Sequence, residues 1–274
     1  MYKKSAKSLL LGVVVVVLAV VVILPIVWVA FMAFRPENIM FYAPWEVPLS
    51  FTVKNFVEKT FNSEFLRSIY NSMEIGLVTA IVTVALGVPA SFALARGKLR
   101  GKKLTMLGIM MLRMAPPGGY AIVMYLIMSK CKLIDTLAGI SAAYMTATLP
   151  LVIWLVTMFM QDIPASLFEA AEVDGATLFR VMTKIALPLT APGIFAAFVM
   201  AFNACWIDFF FALLFTRQRM KPATISVMNF LGYASYDWGG ISAACIVLII
   251  PAIPISYFMQ KYLASGLMSG SVKG

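Results

Sequence analysis

Residues 169–189 of the chain read EAAEVDGATLFRVMTKIALPL. This segment contains three of the twelve acidic residues of the chain and two basic residues, and long apolar runs lie on both sides of it. Most connections between helices in bundles have about 2–8 residues, and longer ordered connections usually have a function. The segment therefore indicates a structured polar connection between two apolar spans.

The composition of the 274 residues excludes an ordinary soluble domain. Hydrophobic residues make up 62% of the chain and charged residues 12%, whereas soluble domains have about 45–50% and about 25%. So few polar residues cannot cover the surface of a soluble core. The sequence predicts an all-α membrane protein with several transmembrane helices.

The net charge of +10 comes from short basic clusters between the apolar runs. This distribution is typical of membrane topology signals and does not indicate a nucleic-acid partner. The chain has no histidine, and its three cysteines, Cys131, Cys205 and Cys245, are far apart. We predict no disulfide framework, no metal site and no catalytic group.

Six segments are long and apolar enough to cross a bilayer, which takes about 20 residues. They are Leu9–Phe34, Ile75–Ala95, Leu104–Ser129, Leu137–Met160, Thr190–Leu214 and Gly239–Gln260. The first run is too long for a signal peptide, so we expect a retained helix. In the third, Pro116, Pro117, Gly118 and Gly119 interrupt helical hydrogen bonding, which fits either a bend around a pathway or a packing kink.

Basic residues in short loops predict the orientation of the spans. The N-terminus has three lysines, and residues 95–103, ARGKLRGKK, have five bases and no acid. We expect residues 1–8 and 263–274 to be cytoplasmic, residues 9–262 to form the six-helix domain, and residues 161–189 to be a cytoplasmic loop. Residues 216–222, TRQRMKP, lie outside in this scheme and are an exception to the rule.

The cytoplasmic loop is predicted to contain two short helices. Asp162 and Pro164 are typical of a helix start, and Gly175 suits a left-handed turn. A second helix over Ala176–Ile185 has one apolar face, formed by Leu178, Val181, Met182 and Ile185, and Pro188 is expected to end it. Such a hairpin either joins two spans or docks into a groove of a soluble partner.

Three charged residues fall within or at the edge of the spans: Glu74, Arg113 and Asp208. A charge at the bilayer centre costs at least about 2.5–3.5 kcal/mol, so it usually faces a cavity or a charged partner. Structural pairing and a polar pathway are both open for Arg113 and Asp208, and an interfacial position is also open for Glu74. Polar or aromatic residues nearby could contribute to a pathway for sugars: Tyr120, Asn203 and Trp206.

Residues 169–189 resemble the EAA loop of the permeases of ATP-binding-cassette importers. The motif has EAA, three residues, Gly, nine residues and I-x-L-P, and every position is present here. In that family the loop is a coupling helix that docks into a cleft of the ATPase subunit. The resemblance implies coupling residues Glu169, Ala170, Ala171, Asp174, Gly175, Ile185, Leu187 and Pro188.

Other stretches are similar to the carbohydrate-uptake members of this family, and together they cover about Phe51 to Gly274. Residues 113–117 read RMAPP, residues 203–216 read NACWIDFFFALLFT with Ile207 where Asn is usual, and residues 266–274 read GLMSGSVKG. They resemble the smaller permease of maltose- and trehalose-type importers. The resemblance implies six helices in the type I (MetI-like) importer fold.

The resemblance also implies partners and a location. These are a second homologous permease, a homodimer of ATP-binding subunits, a periplasmic or lipid-anchored solute-binding protein, and the bilayer of a prokaryotic cytoplasmic (inner) membrane. The ATPase subunits would hold ATP and Mg, because this sequence has no G-x-x-x-x-G-K-[ST] loop. We therefore expect a transport subunit without a bound cofactor, and no enzyme.

Two other functions are less well supported by the sequence. An ion-coupled secondary transporter would show inverted repeats and mid-membrane carboxylates, but no convincing repeat is found and only Asp208 is a deep acid. A channel subunit would need a pore-loop signal. Within the importer class, a non-sugar solute is the alternative to a carbohydrate or sugar derivative.

Overall fold

The computed structural model describes residues 2–43, 45–46, 50–97, 99–232 and 236–270, with side chains from residue 8 to residue 257. Helices account for the regular structure of these ranges, and the only bridge between extended residues there joins Leu231 and Tyr236. The α-helices are α1 (Tyr2–Ala33), α2 (Ser63–Arg96), α3 (Lys102–Met114), α4 (Pro117–Lys130), α5 (Leu137–Gln161), α6 (Ala165–Val173), α7 (Leu178–Val181), α8 (Leu187–Ile207), α9 (Phe210–Phe215), α10 (Ala223–Ser226) and α11 (Trp238–Gly270). Short 3₁₀ turns occur at Glu37–Ile39 and Val227–Phe230, and π turns at Asn55–Thr60 and Met182–Ala186.

Five continuous helical segments are long and apolar enough to span a membrane. They are Ser8–Ala33, Ser63–Arg96, Leu137–Gln161, Leu178–Ile207 and Trp238–Tyr257. The helices α3 and α4 together form a sixth span if they are counted as one broken span. The predicted number of six spans is therefore reached only with this pair.

The third predicted span, Leu104–Ser129, is interrupted at the prolines, as the sequence predicts. Helix α3 ends at Met114, α4 begins at Pro117, and the two axes differ by 87°. Ala115 and Pro116 are extended, with ψ of 125° and 127°. Two consecutive prolines remove two N–H donors and force the preceding residue out of the helical region, so the helix cannot continue here.

The second span begins earlier than predicted. Helix α2 begins at Ser63, not near Ile75, and the Asn62 side chain accepts the N–H of Phe65 at 2.8 Å as an N-cap. The charged residues of its first turns lower the hydropathy but do not disfavour a helix. Glu74 consequently lies inside α2 and not at its start.

The chain folds into two compact units, residues 1–67 with 226–250 and residues 68–225 with 251–274. In the first unit, the Asn55 amide donates to the carbonyls of Ala33 and Arg35 at 2.9 and 3.1 Å and so caps the end of α1. The ammonium of Lys59 bonds the carboxylates of Glu37 and Asp237. Partial burial alone would lower the pKa of Lys59, but these two carboxylates outweigh it and raise the pKa.

In the second unit, α2 and α5 approach each other closely along a line of small and hydroxyl side chains. The hydroxyls of Thr83 and Thr148 are 3.2 Å apart, and the Ser91 hydroxyl donates to the carbonyl of Ile153 at 3.0 Å. A Cβ at Gly87 would lie 2.7 Å from a methyl group of Val152, so only glycine permits this approach. The two helices therefore form one closely packed pair.

Candidate coupling loop and transport pathway

The first half of the predicted coupling loop is α6 followed by a turn at Gly175. The N–H of Ala176 donates to Ala171 at 2.9 Å and the N–H of Gly175 donates to Glu172 at 3.1 Å. These two bonds are the Schellman arrangement, which needs a left-handed residue after the helix. Gly175 supplies it with φ of +73°, as the sequence predicts, and the space where a side chain would lie is open.

Two details of the predicted loop are wrong. Asp162 does not cap the first helix, because it is the last residue of the α5 terminus and its N–H donates to Met158. The second helix does not end at Pro188: α7 runs through the π turn into α8 without a break. Pro188 is tolerated because the π turn Met182–Ala186 directly precedes α8, and a wider turn relieves the clash of a proline ring with the carbonyl four residues back.

The surface of this loop combines exposed apolar side chains with carboxylates. Val173, Leu178 and Phe179 are 88%, 74% and 72% exposed. The predicted single apolar face is therefore only partly buried, since Val181 is buried whereas Leu178 is exposed. Among the predicted coupling residues, Glu169, Ala170, Asp174, Gly175 and Pro188 are exposed, Ala171 is buried, and Ile185 and Leu187 are half-buried.

An exposed knob of this kind has the features of a docking surface. Large apolar side chains at the tip would gain free energy on burial by a partner, and the neighbouring acids could pair with basic residues of the partner. Within the described part of the chain nothing covers these apolar side chains.

Asp208 is not inside a span helix, although the sequence suggested so. Helix α8 ends at Ile207, and the Asp208 carboxylate accepts the N–H groups of Phe211 and Ala212 at 3.0 and 3.3 Å. Phe209 is the N-cap residue of the short helix α9, and the carboxylate of Asp208, one residue earlier, satisfies N–H groups of its first turn. The Tyr144 hydroxyl interacts with the same carboxylate.

The structure brings Tyr120 near the start of α9. The ring of Tyr120 lies 6.2 Å from that of Phe211, and Phe211 also packs against Tyr144 at 6.3 Å. The Tyr120 hydroxyl is 3.2 Å from that of Thr146. Tyr120 and Thr146 also line a cavity of about 570 Å³ between the α3–α4 bend and α5.

The remaining pathway candidates do not share these contacts. Arg113 is exposed in the last turn of α3, on the other side of the bend, and Asn203 is half-buried in α8. Trp206 is buried and stacks on Phe202 with the ring centroids 6.0 Å apart. The sequence analysis missed Tyr144 and Thr146, because both lie in the apolar span α5 and nothing in the sequence relates them to Asp208.

No metal site is found among the residues that the structure describes: they contain no group of three or more His, Cys, Asp or Glu side chains suited to a metal ion. The three cysteines are free thiols. The candidate pathway near the helix breaks therefore offers hydroxyl, aromatic and carboxylate groups to a ligand.

Membrane-length helices, a broken span and a structured, exposed loop between two of the spans define a multi-pass membrane protein. The family described as "Binding-protein-dependent transport system inner membrane component" matches residues 84–269. The chain belongs to this family. It is accordingly an inner-membrane transport component and not an enzyme.

Named relatives cover nearly the whole chain. It is 31% identical over 255 residues to the trehalose transport system permease protein SugB of Mycobacterium tuberculosis, covering 92% of this chain and 93% of that protein. It is 28% identical over 278 residues to the trehalose/maltose transport system permease protein MalG of Thermococcus litoralis, covering 100% of both. The diacetylchitobiose uptake system permease protein DasC of Streptomyces coelicolor is 27% identical and covers 94% of this chain and 95% of its own.

Solved structures share the fold. A chain of a bacterial ABC transporter involved in the import of the acidic polysaccharide alginate superposes with a TM-score of 0.77 at 22% identity, covering 96% of this chain and 98% of that chain. A chain of the MetNI methionine ABC transporter superposes with a TM-score of 0.53 at 14% identity, covering 73% of this chain and 95% of that chain. The predicted importer permease fold is confirmed.

Proposed function

We propose that this chain is one of two related permeases of an ATP-driven importer and that the pair forms the membrane pathway for a carbohydrate or sugar derivative. An external solute-binding protein delivers the sugar, and two ATP-binding subunits on the cytoplasmic side hold ATP and Mg. Both termini of the chain are cytoplasmic in this proposal.

The observation that carries the proposal is the exposed loop with its complete EAA motif. The left-handed turn at Gly175 fixes α6 relative to α7, while Val173, Leu178 and Phe179 remain uncovered at the tip. Because α7 continues into α8, displacement of the loop is transmitted directly to a span. A loop of this construction suits the transfer of an ATPase movement to the membrane helices.

The names of the relatives support a carbohydrate as the substrate. The three relatives given above are described as transporters of trehalose, of trehalose and maltose, and of diacetylchitobiose. Sugars bind through hydroxyl hydrogen bonds and aromatic stacking. Hydroxyl and aromatic groups of this kind are present near the α8–α9 break.

The proposed pathway lining includes residues on both sides of the α3–α4 bend. Arg113, Tyr120, Asn203 and Asp208 would present polar atoms to the sugar, and Trp206 would support this lining from its buried position. Broken helices in membrane proteins usually occur where their freed polar groups line a cavity. The break at Asp208 and the break at Pro116 both fit this role.

The test compares two glycines with the same backbone requirement. Gly175 and Gly101 have φ of +73° and +80°, and neither has an atom within 4 Å of an added Cβ. A valine at either position costs about 1–2 kcal/mol of backbone strain. We expect Gly175→Val to weaken ATPase binding or to uncouple ATP hydrolysis from uptake, whereas Gly101→Val, which lies outside the EAA motif, leaves both unchanged.

A crosslink supplies the second measurement. Ala170 is exposed, so Ala170→Cys in a Cys131→Ser background should form a disulfide with a cysteine placed in the ATPase cleft. If Gly175→Val behaves like Gly101→Val and Ala170→Cys does not crosslink, the loop only connects two spans. The proposal also fails if an ion gradient alone drives uptake without the ATPase.

A further inference from the structure

We infer that Arg96 is a positioning residue that locks the coupling helix α6 to α5 and α2, so that the three move as one body. The inference rests on the proposed function, since it gives the route by which a displaced loop moves the spans. It concerns a residue outside the EAA motif, in the last turn of α2.

Arg96 contacts both sides of the joint between α5 and α6. Its Nη2 donates to the carbonyl of Met160 at 2.8 Å, before the joint, and to the carbonyl of Ile163, inside it. Its guanidinium lies 4.2 Å from the centre of the Phe168 ring, beyond the joint in α6. One side chain of α2 therefore contacts the end of α5, the joint and the helix α6.

The joint itself would otherwise be free to bend. Only residues 162–164 separate the two helices, and Pro164 is extended with ψ of 135°. The carbonyl of Met160 belongs to the last turn of α5, where the helix has no backbone partner for it. Arg96 supplies that partner and places a positive charge at the helix C-terminus, where it is favourable.

The contacts are specific for a guanidinium. A planar group can donate in its plane to two carbonyls while its face lies on an aromatic ring, which an ammonium cannot do. The Nε of Arg96 is buried and has no hydrogen-bond partner among the described residues. Burying this nitrogen costs desolvation free energy, which a basic residue that served only as a topology signal would not need. The burial therefore indicates that Arg96 holds a fixed geometry.

The helix that carries Arg96 also packs against α5 within the span. Helix α2 packs on α5 through Thr83, Gly87 and Ser91, as described above. A movement of α6 that cannot bend the joint must therefore displace the α2–α5 pair. This route is separate from the covalent route through α7 and α8.

The experiment uses the complete importer reconstituted in proteoliposomes. Spin labels at Ser166 in α6 and Leu86 in α2, both exposed, report the distance between the two helices without any sugar. Uptake of labelled trehalose and the rate of ATP hydrolysis then give the sugar transported per ATP. The variants are Arg96→Met, Arg96→Lys and Phe168→Leu, with Arg100→Met as the matched control for an exposed arginine of the same loop.

We expect a narrow distance distribution in the native protein and in Arg100→Met, and a broad one in Arg96→Met and Phe168→Leu. Sugar transported per ATP should fall about fivefold or more in these two, within the range of measured coupling effects. Arg96→Lys should behave like Arg96→Met. The double variant Arg96→Met with Phe168→Leu should be no worse than Arg96→Met alone, because Arg96→Met already removes the contact with the Phe168 ring.

A native distance distribution in Arg96→Met, or native behaviour of Arg96→Lys, would overturn the inference, since charge alone would then explain the residue. If Arg96→Met fails to assemble, Phe168→Leu is the deciding variant, because it keeps the hydrogen bonds of Arg96. A native distance distribution in Phe168→Leu would also overturn the inference. Failure of the proposed function is distinguishable, because the Ala170→Cys crosslink is then absent even when Arg96 and Phe168 are native.

Discussion

The carboxylate of Asp135 accepts the backbone N–H of Met220 at 2.9 Å, although 85 residues separate them in the chain. The same carboxylate accepts the N–H groups of Arg217 and Arg219 at 2.9 and 3.0 Å. It thereby fastens the turn before α5 to the basic turn after α9. The side chain of Arg217 donates to the carbonyls at the end of α9 and so stabilises the helix C-terminus. This structural role gives a reason for a basic residue in residues 216–222, the segment that is an exception to the topology rule.

Replacing Asp135 tests this connection through its pH dependence. Burial alone would raise the pKa of Asp135, but the N–H groups of the 217–220 turn outweigh it and lower the pKa. A lowered pKa contributes stability that is present above the unfolded value of about 3.9 and is lost as the pH falls through the folded value. Thermal unfolding in detergent should therefore show Asp135→Asn less stable than the native protein by about 1 kcal/mol at pH 7.

The difference between native protein and Asp135→Asn should stay constant from pH 8 to about pH 5 and shrink below about pH 4. Glu58→Gln is the control, because Glu58 is an exposed carboxylate in a surface ion pair. A difference that grows as the pH falls would contradict the assignment.

Gly87→Ala should destabilise the α2–α5 pair. The added Cβ would lie 2.7 Å from a methyl group and 3.4 Å from the Cβ of Val152, a stiff side chain that cannot move aside. Overpacking of this kind costs about 1–3 kcal/mol, measured as a loss of thermal stability. Gly108→Ala is the matched control, since an added Cβ there meets nothing within 4 Å. Combined with Val152→Ala, Gly87→Ala should cost less than the sum of the two changes, and strict additivity would refute the contact.

The bend between α3 and α4 should depend on its prolines. Each proline disfavours a helix interior by about 3 kcal/mol relative to alanine. Replacing both Pro116 and Pro117 by alanine should let α3 continue toward α4. Spin labels at the exposed positions Leu107 and Ile122 should then move apart.

Uptake should fall in the same double variant if the bend lines the pathway. Pro150→Ala is the control, because Pro150 lies within α5 without breaking it. An unchanged label distance would show that neighbouring contacts, and not the prolines, hold the 87° angle.

Arg113 and Asp208 should respond differently to alanine, although both are proposed pathway residues. Asp208→Ala removes the carboxylate that accepts two N–H groups of the first turn of α9 and should lower stability by about 1 kcal/mol as well as uptake. Arg113→Ala removes an exposed side chain and should lower uptake, by about tenfold if one charge-assisted hydrogen bond to the sugar is lost, while thermal stability is unchanged. Native uptake by Arg113→Ala would remove it from the pathway, and native stability of Asp208→Ala would contradict this role of the carboxylate.

Features that depend on nearby residues could be predicted from the sequence. Features that depend on tertiary contacts could not. Apolar run length predicts the spans, and glycine spacing predicts the turn at Gly175, because both depend on nearby residues alone. The same local reasoning failed at Pro188, where a π turn lets the helix continue, and at Ser63, where a helix begins among charged residues. The grouping of Tyr144 with Asp208 depends on how α5 packs against the α8–α9 break, and no local signal carries that information.

The π turn at Met182–Ala186 sets the rotational phase between the coupling loop and α8. The N–H of Leu187 bonds to Met182, five residues back, so this turn is wider than an α-helical turn. Widening moves the carbonyl of residue 184 away from the ring of Pro188, which would clash with it in a regular helix. Alanine at 188 would remove the reason for the wide turn, and a return to α-helical geometry would rotate α8 about its axis relative to α6. The residue at position 188 would then determine which face of the span the loop drives.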